Sequence, residues 1–105
     1  MVIVAAGGGF GGKPRPAVVL QADQYDSLET VVLALFTSEL SNLPSPLRPR
    51  FEPSEINGLV TLSELMLHVI ITVRRERIGS AVGVLSAAEM ARIDQALIAF
   101  LGLAD

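Results

Sequence analysis

Arg15 is the residue in this sequence best suited to chemistry on a phosphate. It is fixed between Pro14 and Pro16 and follows Lys13 and the run Gly7, Gly8, Gly9, Phe10, Gly11, Gly12. The prolines restrict the backbone on either side, and a guanidinium held in this way offers two parallel N–H donors to the oxygens of an anion. The glycines raise a sharper possibility. Gly7-x-Gly9-x-x-Gly12 matches the dinucleotide fingerprint, and Gly7-x4-Gly12-Lys13 matches all but the last position of a P-loop. Both motifs require a helix after the glycines, so that its N-terminus meets the phosphates. Here Pro14, Pro16 and an apolar run of strand length follow Lys13, and the P-loop's Ser or Thr is missing. The run therefore reads as a mobile hairpin loop beside Arg15 and not as a nucleotide cradle.

Other side chains narrow the chemistry further. Seven of the eight basic residues are arginine, and they cluster as Arg48 with Arg50 and as Arg74 with Arg75 and Arg77. Arginine suits bidentate phosphate contacts, although such clusters also occur as solvated strand ends. His68 is the only histidine, which excludes a two-histidine acid–base mechanism. Flanked by Leu65, Met66, Leu67 and Val69, it reads as a buried or interface histidine. No cysteine is present, which removes disulfides, zinc–thiolate sites and a cysteine nucleophile, and which fits a cytoplasmic protein.

At 105 residues the chain reads as one domain over its whole length, 1–105. With 50% hydrophobic and 18% charged residues it is too apolar for a disordered chain. Its longest apolar runs, 31–36 and 65–71, fall well short of a membrane span, and the N-terminus lacks the basic segment of a signal peptide. The net charge of −3 argues against a generic nucleic-acid coat but leaves room for a local basic groove.

The elements that must position Arg15 are mostly strands. Val2, Ile3 and Val4 form a short β-branched run, residues 17–20 and 30–36 are continuous apolar runs of strand length, and 63–73 is a long strand. Residues 30–36 lack a polar face, as expected of a strand buried on both sides. Residues 23–27, 43–46 and 53–58 read as turns or loops. Between them, Leu47, Pro49 and Phe51 alternate with Arg48, Arg50 and Glu52. Gly79 and Gly83 within 78–85 suggest a bent or bulged strand. Ser86 and Glu89 form a capping box ahead of Met90, Ile93, Leu97, Phe100 and Leu101, and Gly102 follows as a C-cap, which predicts a helix over 87–101. The whole is mainly β: a small barrel with an appended C-terminal helix.

Residues 12–21, GKPRPAVVLQ, resemble the signature of the MazF/PemK toxins, the ribonuclease components of toxin–antitoxin systems. The likeness continues in order through Leu35-Phe36-Thr37-Ser38, Pro53-Ser54-x-x-Asn57-Gly58-Leu59, Ser63, the basic turn 74–79, Val82-Gly83-Val84-Leu85-Ser86 and Phe100-Leu101-Gly102-Leu103. It covers nearly the whole chain. The resemblance implies an SH3-like barrel that forms a homodimer, and of apolar strand residues such as Leu65, Leu67 and Ile71 some could pair across its two-fold axis. It implies a metal-independent, cofactor-free endoribonuclease that cuts single-stranded RNA at a short sequence, leaving a cyclic phosphate and a 5′-hydroxyl. It implies an antitoxin partner whose disordered tail occupies the RNA groove, and no membrane partner. The family's catalytic arginine and threonine fall on Arg15 and Thr37. Lys13, Ser38, Arg48, Arg50, Ser63 and Arg74 make up the expected RNA-binding set.

The sequence departs from the family in three places. The family usually opens with Arg-Gly-Asp ahead of its first strand, whereas this sequence begins at Met1-Val2 within that strand. Thr61 stands where lysine is common, and His68 where aspartate is common. The competing readings are a CcdB-like toxin, which shares the architecture and acts by protein contact alone, and a catalytically weakened MazF-like protein. The CcdB group depends on a terminal Trp-Gly-Ile that is absent here.

Overall fold

The computed structural model describes residues 2–6, 15–42 and 45–103. Six strands, β1 (Val2–Ala6), β2 (Arg15–Val19), β3 (Thr30–Thr37), β4 (Arg50–Phe51), β5 (Ser63–Arg74) and β6 (Ile78–Val84), precede helix α1 (Ala87–Leu101). They form one antiparallel sheet in the order β4-β5-β3-β2-β1-β6. The strand that follows Lys13 and Pro14 is β2, so neither glycine motif has the helix it requires. The glycine run and Lys13 lie outside the described residues.

The unbroken apolar run of β3 is explained by its position between β5 and β2, with a core on each face. Ala34 and Phe36 join Ile3, Val18, Leu65, Leu67 and Ile93 on one side. Val31, Leu33 and Leu35 join Val4 and Ala17 on the other. Period-2 geometry thus divides consecutive apolar residues between two clusters. The sheet bends sharply along β5. Ala34 pairs with Ile70 but Phe36 pairs with Leu65, so extra β5 residues bulge out between these pairs. β4 shows the expected alternation: Pro49 and Phe51 are buried and Arg50 is exposed. Phe51 meets Phe36 edge-on at 5.7 Å and lies under the Arg92 guanidinium at 4.6 Å, which ties β4 to the helix.

Two expectations are narrowed. Of Leu65, Leu67 and Ile71, read as strand residues some of which could pair across a two-fold axis, Leu65 and Leu67 are fully buried in the core and not available for pairing, while Ile71 is partly buried. His68, read as buried or at an interface, sits in the bulged part of β5 and is exposed in the chain, which removes the buried alternative and leaves the interface one. The strand bends at that point, so period-2 alternation does not carry His68 inward.

Helix α1 is capped as its sequence predicts. Ser86 accepts from the Glu89 N–H, Glu89 accepts from the Ser86 N–H, and Gly102 takes the left-handed conformation at φ 70°. Ile93 and Ala96 are buried, Met90 and Leu97 pack on the same core, and Phe100 and Leu101 lie exposed beyond it. Among the described residues no helix is long and apolar enough to cross a membrane. Replacing Ser86 with alanine removes the cap, with an expected loss of about 1 kcal/mol. At about 4–8 °C per kcal/mol for a domain of this size, thermal melts will show the difference.

Candidate active site

β2 and β3 pair with Ala17 opposite Leu35, and continuing that register by two residues brings Arg15 level with Thr37. Both side chains line a single cleft of about 520 Å³ at this end of the sheet. Ser38 and Glu39, which follow Thr37, form part of its wall, and Ser63 and residues 58–61 form another part. Pro16 pairs with Ala5 of β1, while the β2–β3 pairing covers Ala17, Val18 and Val19 and ends before the proline, which has no N–H to donate to that ladder.

Thr37 is half-buried, and its Oγ1 accepts a hydrogen bond from the Glu39 N–H at 3.1 Å. This is the strand-end turn that a threonine commonly makes. It uses an acceptor site of the hydroxyl and leaves the O–H to donate. Arg15 is exposed at the strand end. Ser63 is buried and donates its hydroxyl to the Thr61 carbonyl at 2.9 Å, so its proton braces the cleft wall.

The wall formed by residues 58–61 is held from behind by Asn57, which is fully buried. Its Oδ1 accepts from the Ser54 and Leu59 N–H groups, and its Nδ2 donates to the Glu52 carbonyl and to the Glu89 carboxylate. All four hydrogen-bonding positions of the amide are thereby used. Gly58 follows at φ 69°, where a Cβ would run into the Val82 backbone.

Arg48 and Arg50 converge on Glu64, which is 1% exposed. Arg48 Nε meets Glu64 Oε1 and Arg50 Nε meets Oε2, both at 2.7 Å. The Ser41 N–H and hydroxyl also donate to this carboxylate. Arg48 Nη2 donates to the Glu39 carbonyl at 2.8 Å and Arg50 Nη2 to the Ser41 carbonyl at 2.6 Å. Burial alone would raise the Glu64 pKa, but the bonds from Arg50, Arg48 and Ser41 together outweigh it and bring the group down to about 2.

The sign of the linkage follows. A carboxyl whose pKa is depressed on folding stabilises the fold above its unfolded value of 4.5 and loses that contribution as pH falls toward about 2. The expected result is a stability gap between wild type and Glu64→Gln that is full above about pH 5 and narrows toward pH 2, read from urea midpoints across that range.

Arg74 is placed elsewhere. It pairs with Thr30 at the opposite end of the β3–β5 ladder from Thr37, roughly 23 Å away along the strand, and faces Glu76 at 3.6 Å. The structure therefore gathers Arg15, Thr37, Ser38 and Ser63 at one cleft, sets Arg48 and Arg50 against its Glu39 side, and leaves Arg74 apart. Thr61 lies on the cleft, and His68 is not among the residues that line it. Sequence reasoning missed Glu64 and the amide role of Asn57. The signal for Glu64 was a single acid at the head of an apolar strand, with two alternating arginines upstream to neutralise.

A bent six-stranded antiparallel sheet with a C-terminal helix, and a cleft bearing arginine and threonine at neighbouring strand ends, defines a small barrel of the MazF fold. The Mycobacterium tuberculosis toxin MazF-mt6 superposes with a TM-score of 0.83 at 21% identity, covering 100% of both chains. An endoribonuclease from a mycobacterial species, solved in complex with its cognate antitoxin, gives 0.78 at 21% identity over 98% of this chain and 94% of that one. In sequence, the chain is 41% identical over 100 residues to the probable endoribonuclease MazF of Mycolicibacterium smegmatis, covering 95% of this chain and 91% of that protein. A family profile described as PemK-like, MazF-like toxin of type II toxin-antitoxin system matches residues 2–101. The chain belongs to the PemK/MazF family of toxins.

Proposed function

We propose that this chain is the endoribonuclease toxin of a toxin–antitoxin pair, cutting single-stranded RNA without a metal ion and with Arg15 and Thr37 as its catalytic residues. The observation that carries this reading is the delivery of those two side chains, from different strands, to one cleft. The 2′-oxygen of a ribose attacks the adjacent phosphorus in line, and the bond to the 5′-oxygen breaks. The 2′-hydroxyl loses its proton, the 5′-oxygen gains one, and a 2′,3′-cyclic phosphate and a 5′-hydroxyl result. Negative charge builds on the non-bridging oxygens during the transfer. Arg15 meets it with two N–H donors and Thr37 with the hydroxyl proton left over by its bond to Glu39. The nucleophile belongs to the substrate, so the protein's task is charge stabilisation and alignment.

On this reading Ser38 and Lys13 hold flanking phosphates and Arg50, half exposed, extends positive charge along the same edge. The antitoxin's tail competes with RNA for the cleft, as suits a family defined by toxin–antitoxin pairs. The active form is a homodimer working in the cytoplasm. Its contact surface is to be sought among exposed apolar side chains such as Ile98, Phe100 and Leu101, since Leu65 and Leu67 are buried. The test is primer extension on a long mixed-sequence RNA incubated with the purified protein in EDTA. Stops at one recurring short sequence support the reading, and intact RNA overturns it in favour of a toxin that acts by protein contact.

A further inference from the structure

We infer that Glu64, acting through Arg48, is a positioning residue for Thr37, so that Arg48 serves the alignment of the cleft and not the grip on RNA. The inference rests on the endoribonuclease reading above. Thr37, Glu64 and Arg50 stand opposite one another in the neighbouring strands β3, β5 and β4. Directly paired residues of antiparallel strands project to the same face, so the three side chains form one row. Glu64 is thus the immediate cross-strand neighbour of the catalytic threonine.

The bonding then runs in a closed circuit. Glu64 holds Arg48 and Arg50 by their Nε atoms, and each arginine turns its Nη2 to a backbone carbonyl of the segment after Thr37, at Glu39 and Ser41. Glu64 also takes the Ser41 N–H directly. The N–H of Glu39 in turn orients the Thr37 hydroxyl. Residues 38–40 are exposed, and none of them belongs to either core cluster. What fixes the Glu39 N–H, and with it the direction of the Thr37 proton, is this set of charge-assisted bonds to one buried carboxylate. A hydroxyl that points away from the developing charge by even a small angle loses most of its worth in the transition state while leaving ground-state binding unchanged.

The experiment uses full-length protein and an RNA oligonucleotide carrying the cut sequence found by primer extension. Wild type, Glu64→Gln, Arg48→Lys, Thr37→Ala and the double variant Glu64→Gln/Thr37→Ala are compared below their melting temperatures, with folding checked by circular dichroism. Arg48→Lys keeps a positive charge beside Glu64 but loses the fork that reaches Glu39, and it guards against a Glu64 variant that does not fold. The expected result is a fall in kcat of about 10-fold or more for Glu64→Gln and for Arg48→Lys, with KM within about threefold of wild type. Glu64→Gln should add almost nothing in the Thr37→Ala background, since both changes remove the same interaction. A raised KM with unchanged kcat for Arg48→Lys would make Arg48 an RNA contact and overturn the inference. Losses that multiply in the double variant would overturn it too, by showing that Glu64 acts independently of Thr37. Wild-type protein that leaves the RNA intact fails the parent reading and removes the inference with it.

Discussion

Replacing Arg15 by alanine is expected to abolish RNA cleavage and leave the fold unchanged. The single-turnover rate should fall by about 10³-fold or more, at the upper end of what removal of one preorganised donor group costs, because Arg15 supplies two donors and a full charge. Arg15 is exposed at the end of β2, and among the described residues it forms no ion pair. Surface substitutions of that kind stay within about 0.5 kcal/mol, so thermal melts of variant and wild type should nearly coincide. Arg15→Lys sharpens the point. It keeps the charge but gives up the planar two-pronged donor, and it should recover only a small part of the lost rate. A variant that unfolds instead of losing activity would place Arg15 in the framework and not in the site.

The largest effect on stability is expected from Asn57→Ala. The amide is fully buried and bonds to two backbone N–H groups, one backbone carbonyl and the Glu89 carboxylate. Truncation takes one hydrogen bond from each of the four partners, of which Leu59 is buried and Glu89 keeps its bond from the Ser86 N–H, and a buried polar group left without a partner costs about 1–3 kcal/mol. Water will reach part of the vacated space, so a net loss of about 3 kcal/mol is expected, or a fall in Tm of about 12 °C or more. Asn57→Asp offers a contrast that tests the cause. Its carboxylate keeps both acceptor bonds but faces Glu89 and the Glu52 carbonyl, so it should destabilise at neutral pH and recover part of the loss in acid, where the introduced carboxyl is protonated and can donate again. The loop held by Asn57 forms the cleft wall, so cleavage should weaken along with the fold in both variants.

Much of this molecule was legible in its residues. The capping box at Ser86 and Glu89, the glycine at 102 and the stripe from Met90 to Leu97 were sufficient for the helix, because capping and 3.6-residue periodicity are local properties. The double-sided burial of β3 followed from its lack of a polar face. The strand after Pro14 was legible as well, and with it the lack of the helix that either glycine motif requires. The family's pattern singled out Arg15 and Thr37, and the sheet register explains why residues so far apart in sequence line one cleft.

What escaped the sequence depended on bends and on partners brought from afar. His68 comes out exposed because β5 bulges where alternation assumed a straight strand. Leu65 and Leu67 stood beside Ile71 as candidates for a dimer surface because nothing in a linear reading shows that a helix and two phenylalanines cover the two leucines. Arg48 and Arg50 read as phosphate ligands, but their donors converge on Glu64, a carboxylate 14 residues beyond Arg50. A buried acid is seldom inferred without the cations that neutralise it, and pairing over such a distance is set by the sheet and not by local spacing.

In the proposed reaction the substrate's own 2′-hydroxyl is the nucleophile, and Arg15 and Thr37 stabilise the charge it creates. The most direct measurement compares two oligonucleotides in EDTA, an all-RNA strand carrying the cut sequence and the same strand with a single 2′-deoxynucleotide on the 5′ side of the scissile phosphate. The account predicts cleavage of the first to a cyclic phosphate and a 5′-hydroxyl, and an intact second strand that still competes for binding. Cleavage of the deoxy-substituted strand at the same position would contradict it, because the attacking oxygen would then come from water or from the protein.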